Sequence, residues 1–303
     1  IKGHAWYRAE LNLNRWFGLP WWERSDLFIE HASDIVGIYV NGHYITTVAP
    51  LGTEIDSDSK NQSYRFPNLR RHLKRGKNII AFRTEIWGHG SFMFPRGKVL
   101  GTKAQIPAVG FDSVKGLLGT AKVGKRHLVN WSVRANLKGE IDGYDTTDYD
   151  DSHWQEQNIP LSLEKGDVTW YRTSFDSAAL PSYENFHAPV ALTLKGKNTK
   201  ATIFLNGRLI GRWVSDNNWL SRGFWGRAQR DMWMNTDPDD FPINQGLLKY
   251  PGEENTLAIA FEDTSGHNEG AGVVETLEIN YAREKNHKSD IKSRFDLQLK
   301  TQN

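Results

Sequence analysis

The same pattern occurs twice along the chain. Trp6-Tyr7-Arg8 recurs as Trp170-Tyr171-Arg172, and Val40-Asn41-Gly42 recurs as Leu205-Asn206-Gly207, at spacings that agree to within one position. Each copy then reaches a Phe-Pro pair, Phe66-Pro67 and Phe241-Pro242. Each ends in an apolar run, Ile79-Ile80-Ala81-Phe82 and Leu257-Ala258-Ile259-Ala260-Phe261. Solenoid units repeat every ~20 to 50 residues, so a period of more than half the chain indicates a duplicated domain. The length of 303 residues agrees, being about two domains of ~100–200 residues each. The domains are expected at 1–143 and 144–303. The boundary falls in an acidic, polar stretch, 140–151, which has no apolar periodicity and reads as an exposed connection. The last segment, 283–303, is strongly polar and reads as a strand plus tail or as partly disordered.

Within each copy the local pattern is β. Leu27-Phe28-Ile29 and the run from Ile35 to Val40 lead into Asn41-Gly42, and the run from Tyr44 to Val48 follows. The second copy has the runs Pro189 to Leu194 and Lys200 to Leu205, then Asn206-Gly207, then Leu209 to Val214. Asn-Gly between β-formers is a strong hairpin signal, because both residues tolerate the positive φ of a type I′ turn. No long window shows helical periodicity. Short strands punctuated by Gly, Asn and Pro predict an all-β fold of two tandem β-sandwich domains.

Composition narrows the function classes. The net charge is +2, with Lys and Arg interspersed among Asp and Glu, which gives no footprint for nucleic acid or a membrane surface. No run of about 18 apolar residues is present to span a bilayer. The absence of cysteine removes thiol catalysis, disulfides and Cys-type zinc sites. The chain starts in a strand-like pattern at Ile1, without Met, and reads as a trimmed or excised product. A secreted or periplasmic location is the accompanying expectation. The 12 Trp are many for this length, and Trp offers a flat apolar platform with a polar handle.

Several of these stretches resemble a known family. The run Gly166-Asp167-Val168-Thr169-Trp170-Tyr171-Arg172-Thr173-Ser174-Phe175 is similar to the opening strand of the galactose-binding-like jelly rolls of β-galactosidases. The hairpin from Ala201 to Trp213 and the closing stretches Asp240 to Leu248 and Asn255 to Ile259 are similar to later strands of that module. In the first copy Pro95-Arg96-Gly97, Asn130-Trp131-Ser132-Val133 and Leu137-Lys138-Gly139-Glu140 resemble the preceding jelly roll. The similarity is greatest to the paired C-terminal jelly rolls of glycoside hydrolase family thirty-five, and it covers roughly residues 1–282. It implies a module that binds an oligosaccharide or polysaccharide. It also implies a catalytic (β/α)₈ barrel elsewhere, in the same or another chain, because no part of this sequence alternates strand and helix. Such modules often hold a structural calcium ion.

Three kinds of chemistry have candidate residues. Glycoside hydrolysis needs two carboxylates about 5 Å or about 6.5–9.5 Å apart, and Glu262-Asp263 at the end of an apolar strand is the pair to examine first. Calcium needs six to eight oxygens, and the oxygen-rich loops are 145–151 and 237–240. The ten His show no metal-ligand spacing.

Sugar binding has the most candidates. Between the Asn-Gly turn and the Phe-Pro pair, the second copy is ten residues longer than the first. That segment carries Trp213, Trp219, Trp225 and Trp233, with Arg222 and Arg227 among them. Aromatic planes match the C–H face of a sugar, and Arg matches its hydroxyl edge or a uronate carboxylate. The alternative is that this segment packs over the sandwich end or against another domain. The first copy has its own aromatic-basic patch: Arg15, Trp16, Phe17, Trp21, Trp22 and Arg24. Further on, Trp87-Gly88-His89-Gly90 follows the apolar strand, with Trp87 and His89 as the candidate contacts. Trp6 and Trp170, on the repeated opening strands, are expected in the core.

Three functional readings follow. The chain is an accessory carbohydrate-binding region of a β-galactosidase-like hydrolase, or an independent lectin-like protein. The third reading is a β-sandwich enzyme, hydrolase or polysaccharide lyase, or a subunit of a split enzyme. The first accounts for both the duplication and the missing barrel, and it assigns hydrolysis to a parent or partner.

Overall fold

The computed structural model describes residues 3–33, 35–48, 64–66, 68–85, 90–93, 107–110, 116–177, 182–183, 186–187, 190–215, 240–243, 245–265, 270–281, 295–296 and 299–302. They form two compact units, Ile1–Leu137 and Lys138–Asn303. The division lies at 137/138, against the expected 143/144.

The first unit contains β1 (His4–Asn12), β2 (Leu27–Ser33), β3 (Ile35–Val40), β4 (His43–Val48), β5 (Tyr64–Phe66) and β6 (Lys77–Glu85). These are followed by β7 (Gly90–Met93), β8 (Pro107–Gly110), β9 (Gly116–Val123), β10 (Arg126–His127) and β11 (Val129–Ala135). One sheet has the order β11-β1-β6-β3-β4 and the other β10-β9-β2-β5, while β7 and β8 form a separate ribbon. Leu11, Ile38, Ile80 and Phe82 from the first sheet and Leu27 and Ile29 from the second are buried. Full burial of such a side chain contributes about 1.5–3 kcal/mol.

The second unit opens with a short helix, α1 (Lys138–Asp142), then β12 (Gln155–Gln157), β13 (Leu161–Ser162), β14 (Val168–Asp176), β15 (Ser182–Tyr183) and β16 (Phe186–His187). It continues with β17 (Val190–Lys197), β18 (Thr199–Leu205), β19 (Arg208–Val214), β20 (Asp240–Ile243) and β21 (Glu254–Asp263). The last strands are β22 (Val273–Tyr281), β23 (Phe295–Asp296) and β24 (Leu299–Thr301). Its sheets run β12-β24-β14-β21-β18-β19 and β13-β22-β17-β20. Leu192, Leu194 and Val274 from one sheet meet Ile203, Leu205, Leu257 and Ile259 from the other in one core. The chain is therefore an all-β protein of two antiparallel β-sandwiches.

The central strands of the two sandwiches correspond. The path β1-β6-β3-β4 corresponds to β14-β21-β18-β19, and β9-β2-β5 to β22-β17-β20. The register matches as well. Leu27 pairs with Phe66 and Leu192 with Phe241. A β-bulge falls between Ile38 and Tyr39 in one hairpin and between Ile203 and Phe204 in the other. The turns have positive φ at both central residues, 53° and 85° at Asn41-Gly42 and 50° and 77° at Asn206-Gly207. This is the type I′ geometry expected of Asn-Gly.

A hydrogen-bond node holds each turn. Asn41 Nδ2 donates to His72 O and Asn78 Oδ1, both at 3.0 Å, and Asn41 Oδ1 accepts from the Ile79 N–H. In the second unit Asn206 Nδ2 donates to Leu247 O and Asn255 Oδ1, both at 2.9 Å, and Asn206 Oδ1 accepts from the Thr256 N–H. The carbonyl in each case ends a 3-10 turn, Arg70–His72 or Gln245–Leu247.

The stretch 140–151, expected as an exposed connection, is integral to the second sandwich. Glu140, Tyr144 and Asp145 are buried. The cause is Arg172, itself buried, whose guanidinium donates to Tyr144 O, to Thr146 O at 2.9 Å and to Asp151 Oδ2 at 2.9 Å. The polar end of the chain supplies the strand expected of it, β24, which lies between β12 and β14 with Leu299 and Thr301 buried.

Candidate functional site

The β1–β2 connection has little regular structure yet is closely held. Asn14 Oδ1 accepts from the Trp16 and Phe17 N–H groups at 2.8 and 3.0 Å, and Asn14 O accepts from the Gly18 N–H at 2.8 Å. Asn and Asp close turns in this way because the side chain imitates a backbone acceptor. The rest of the loop is fastened by Arg70, which donates to Leu19 O at 3.0 Å, to Pro20 O at 2.9 Å, to Trp21 O at 3.4 Å and to Glu23 O. One guanidinium thus holds four carbonyls of the loop, using the planar donor fork that only Arg has.

The loop presents its aromatic side chains to solvent. Trp16, Phe17, Trp21 and Trp22 are 74%, 79%, 84% and 72% exposed, and Trp21 and Trp22 meet edge to face at 5.6 Å. Scattered exposed apolar residues are ordinary, but four large rings on one fixed loop form a patch of the kind that marks a binding surface. The backbone bonds mean that little ordering remains to oppose binding.

A cavity of about 640 Å³ adjoins this loop, inside the ~300–1,000 Å³ range of small-molecule sites. Trp22 and Phe28 give it apolar walls, and Arg24, Lys122, Lys125 and Arg126 give it charge. Phe28 and Lys122 pair across β2 and β9, and the Lys122 ammonium lies 5.1 Å from the Phe28 ring centre. At the rim Glu23 receives two bonds from Arg126, at 3.1 and 3.0 Å. The β9–β10 turn is drawn onto the same wall by the Gly124 N–H, which donates to Asp26 O at 2.9 Å.

Of the site residues expected from sequence, Trp213 is placed in the core. It lies on β19 with 5% exposure, among Leu205, Ile243 and Ile259 and their neighbours, and so presents no face to a ligand. Alternation along the strand sends its ring inward. Trp219, Arg222, Trp225, Arg227, Trp233, Trp87 and His89 lie outside the described residues. The loop 14–24 is visible in sequence as an aromatic-basic patch. The fastening of its backbone at residues 19–23 is not, because that depends on Arg70, some 47 to 51 residues away.

The acidic candidates have structural partners. Glu262 is buried against Lys200 at 2.6 Å. Asp263, also buried, accepts from the N–H groups of Gly166, Ser265 and Gly272 and from the Ser265 hydroxyl. Neighbours on a strand point to opposite faces, so these two carboxylates do not face one another. In the loop 145–151, Asp151 is engaged by Arg172 at 2.9 Å and Lys300 at 3.1 Å. Two cations there do not fit a calcium site built on Asp151. Burial pushes the Asp151 carboxyl up, but the hydrogen bonds and charges of Arg172 and Lys300 outweigh it and hold the group below the usual range. The second oxygen-rich loop, 237–240, is outside the described residues except for Asp240. Among the described residues no helix is long and apolar enough to cross a membrane.

No curated protein matches the chain in sequence. Among solved structures, a lectin from Pleurotus ostreatus in complex with GalNAc is 15% identical, with a TM-score of 0.23, over 93% of this chain and 74% of that one. A family 78 rhamnosidase of Bacillus sp. GL1 is 11% identical, with a TM-score of 0.29, over 98% of this chain and 33% of that one. A β-glucuronidase of Lactobacillus rhamnosus is 12% identical, with a TM-score of 0.26, over 99% of this chain and 35% of that one. The chain thus spans about a third of each of these two hydrolases. Residues 139–267, within the second unit, match the family model of the β-galactosidase second all-beta domain.

Proposed function

We propose that the chain is the accessory, carbohydrate-binding portion of a β-galactosidase-like glycoside hydrolase, and that the loop 14–24 contacts the sugar. One observation carries this reading: four aromatic rings stand 72% to 84% exposed on a backbone fixed by Asn14 and Arg70. Rings held open suit the C–H face of a pyranose, and fixed backbone keeps the entropic cost of binding low. The match of residues 139–267 to a β-galactosidase domain supports the parentage. Under this reading a (β/α)₈ barrel, in the same or another chain, performs hydrolysis. The segment with Trp219, Arg222, Trp225, Arg227 and Trp233, and the pair Trp87 and His89, are proposed as further sugar contacts on their composition.

The test is titration calorimetry and affinity electrophoresis of the full chain with a panel of neutral and acidic polysaccharides. Binding to at least one is expected, with a loss of about tenfold or more in W21A/W22A, equivalent to ~1.4 kcal/mol. Both side chains are exposed, so the melting temperature should hardly change. Absence of binding across the panel would reject the reading and leave the loop as a packing surface for another domain.

A further inference from the structure

The cavity beside the aromatic loop carries a charge that neutral sugar binding does not require. Its lining has four cations, Arg24, Lys122, Lys125 and Arg126, against the carboxylates of Glu23 and Asp26. Glu23 is satisfied by Arg126 through two bonds. Arg24 and Lys125 are exposed and form no ion pair among the described residues. The chain as a whole is close to neutral, with 38 Lys and Arg against 36 Asp and Glu, so this excess is local.

We propose that the cavity is a subsite for an anionic sugar, one bearing a carboxylate or a sulfate ester, within a polysaccharide whose neighbouring residues rest on Trp21 and Trp22. The inference depends on the reading of the loop 14–24 as a sugar-contacting surface. The anion sits between Arg24 and Lys125, where charge-assisted hydrogen bonds form to its oxygens. Phe28 and Trp22 take the apolar face of the ring. Lys122 is held along Phe28 and adds positive potential without having to reorganise. A volume of about 640 Å³ accommodates one or two sugar residues, and the exposed Trp21 and Trp22 let a chain continue beyond it. Single-stranded nucleic acid would also meet aromatic rings and cations. The near-neutral balance of the whole chain, 38 Lys and Arg against 36 Asp and Glu, favours a sugar over nucleic acid.

Binding of the full chain is measured with polygalacturonate (carboxylate), a sulfated galactan (sulfate ester), neutral β-1,4-galactan and an oligo-dT strand. At least one of the two anionic polysaccharides is expected to bind tenfold or more tightly than the neutral galactan, and which one identifies the anion. R24A and K125A should each weaken that binding about tenfold, K125A without change in binding to neutral galactan, whereas W22A weakens both. Raising the salt concentration should erase the anionic preference. All three side chains are exposed, and unchanged melting confirms folding of each variant. Equal affinity for neutral and anionic galactans, with R24A and K125A silent, would overturn the anionic subsite while leaving the sugar-binding reading intact. No binding to any polysaccharide would remove both. Oligo-dT binding as tight as the best polysaccharide would overturn the assignment to sugar.

Discussion

Arg172 and Arg8 occupy the same place in the repeat and do different things. Arg172 is 3% exposed, bonded to Asp151 and to the carbonyls of Tyr144 and Thr146, and its guanidinium lies 5.4 Å from the Tyr149 ring centre. Arg8 is exposed. Trp170 and Trp6 differ in the same sense. Trp170 is buried beneath Tyr144, which meets it edge to face at 5.8 Å, and a Cβ on Gly139 would fall 2.3 Å from its indole nitrogen. Trp6, expected in the core, is only half-buried, with Tyr39 at 5.1 Å and the Arg83 guanidinium at 5.7 Å. R172A should therefore cost about 3–5 kcal/mol, because it leaves the carbonyls of Tyr144 and Thr146 without their donor and Asp151 with Lys300 alone. R8A should stay within about 0.5 kcal/mol, as an exposed substitution does. Urea titration of both variants measures the contrast, and equal effects would reject it. The same ion pair predicts a pH response. The Asp151 carboxyl is lowered in the folded state from its ordinary value of 3.8. Its contribution is thus fully present above that value and is lost as pH falls through the lower folded one. Asp148 and Asp150 are also lowered, by hydrogen bonds from Thr146 and Ser152, and act with the same sign. The stability lost on acidification below about pH 4 should shrink in D151N, though not vanish, and an unchanged loss would count against the assignment.

At the scale of elements, the Asn-Gly hairpins are the most strongly specified parts of the chain. Each turn asparagine both adopts positive φ and donates across to a second asparagine, Asn78 or Asn255, near the start of the next central strand. N41A or N206A removes two donated bonds and one accepted bond from a partly buried node, at a cost of about 1–3 kcal/mol. Denaturation midpoints should fall in both variants, and a silent N206A would show that the node does not hold the turn. These elements are legible in sequence because their causes are local: Asn-Gly tolerates the turn geometry, and alternation of β-formers gives the strands. The burial of Glu140, Tyr144 and Asp145 within 140–151 is not legible, since an acidic composition resembles solvent-exposed loop until Arg172 is brought beside it. The polar end of the chain can be read as carrying a strand, but not as pairing with β14, because its place comes from the open edge of that strand rather than from its own residues. The site is legible in part: the aromatic composition of 14–24 can be read, but the tie that Arg70 makes to the carbonyls of residues 19–23 cannot. Trp213 fails as a candidate because strand parity, rather than proximity to an aromatic-rich segment, decides where a side chain points.

Over the whole molecule, the repeat accounts for the two sandwiches and leaves the placement of the division to packing. The helix Lys138–Asp142 belongs to the second unit. Its Gly139 closes on Trp170, its Glu140 is buried, and the Tyr144 N–H donates to Gly139 O at 2.8 Å. A composition shift cannot reveal this, because the residues that cover Trp170 are as polar as a linker. Comparing two fragments tests where the second unit begins. Residues 138–303 should unfold in one cooperative transition. Residues 144–303 lack the helix, expose one face of the Trp170 indole and lose the Tyr144–Gly139 backbone bond, so they should be less stable by about 1–3 kcal/mol. Near-ultraviolet circular dichroism should report the same loss, since the rings of Tyr144, Tyr149, Trp154 and Trp170 lie in one cluster with centroid separations of 4.9 to 5.8 Å. Fragments of equal stability and equal aromatic signal would return the division to 143/144 and make the helix part of a connection.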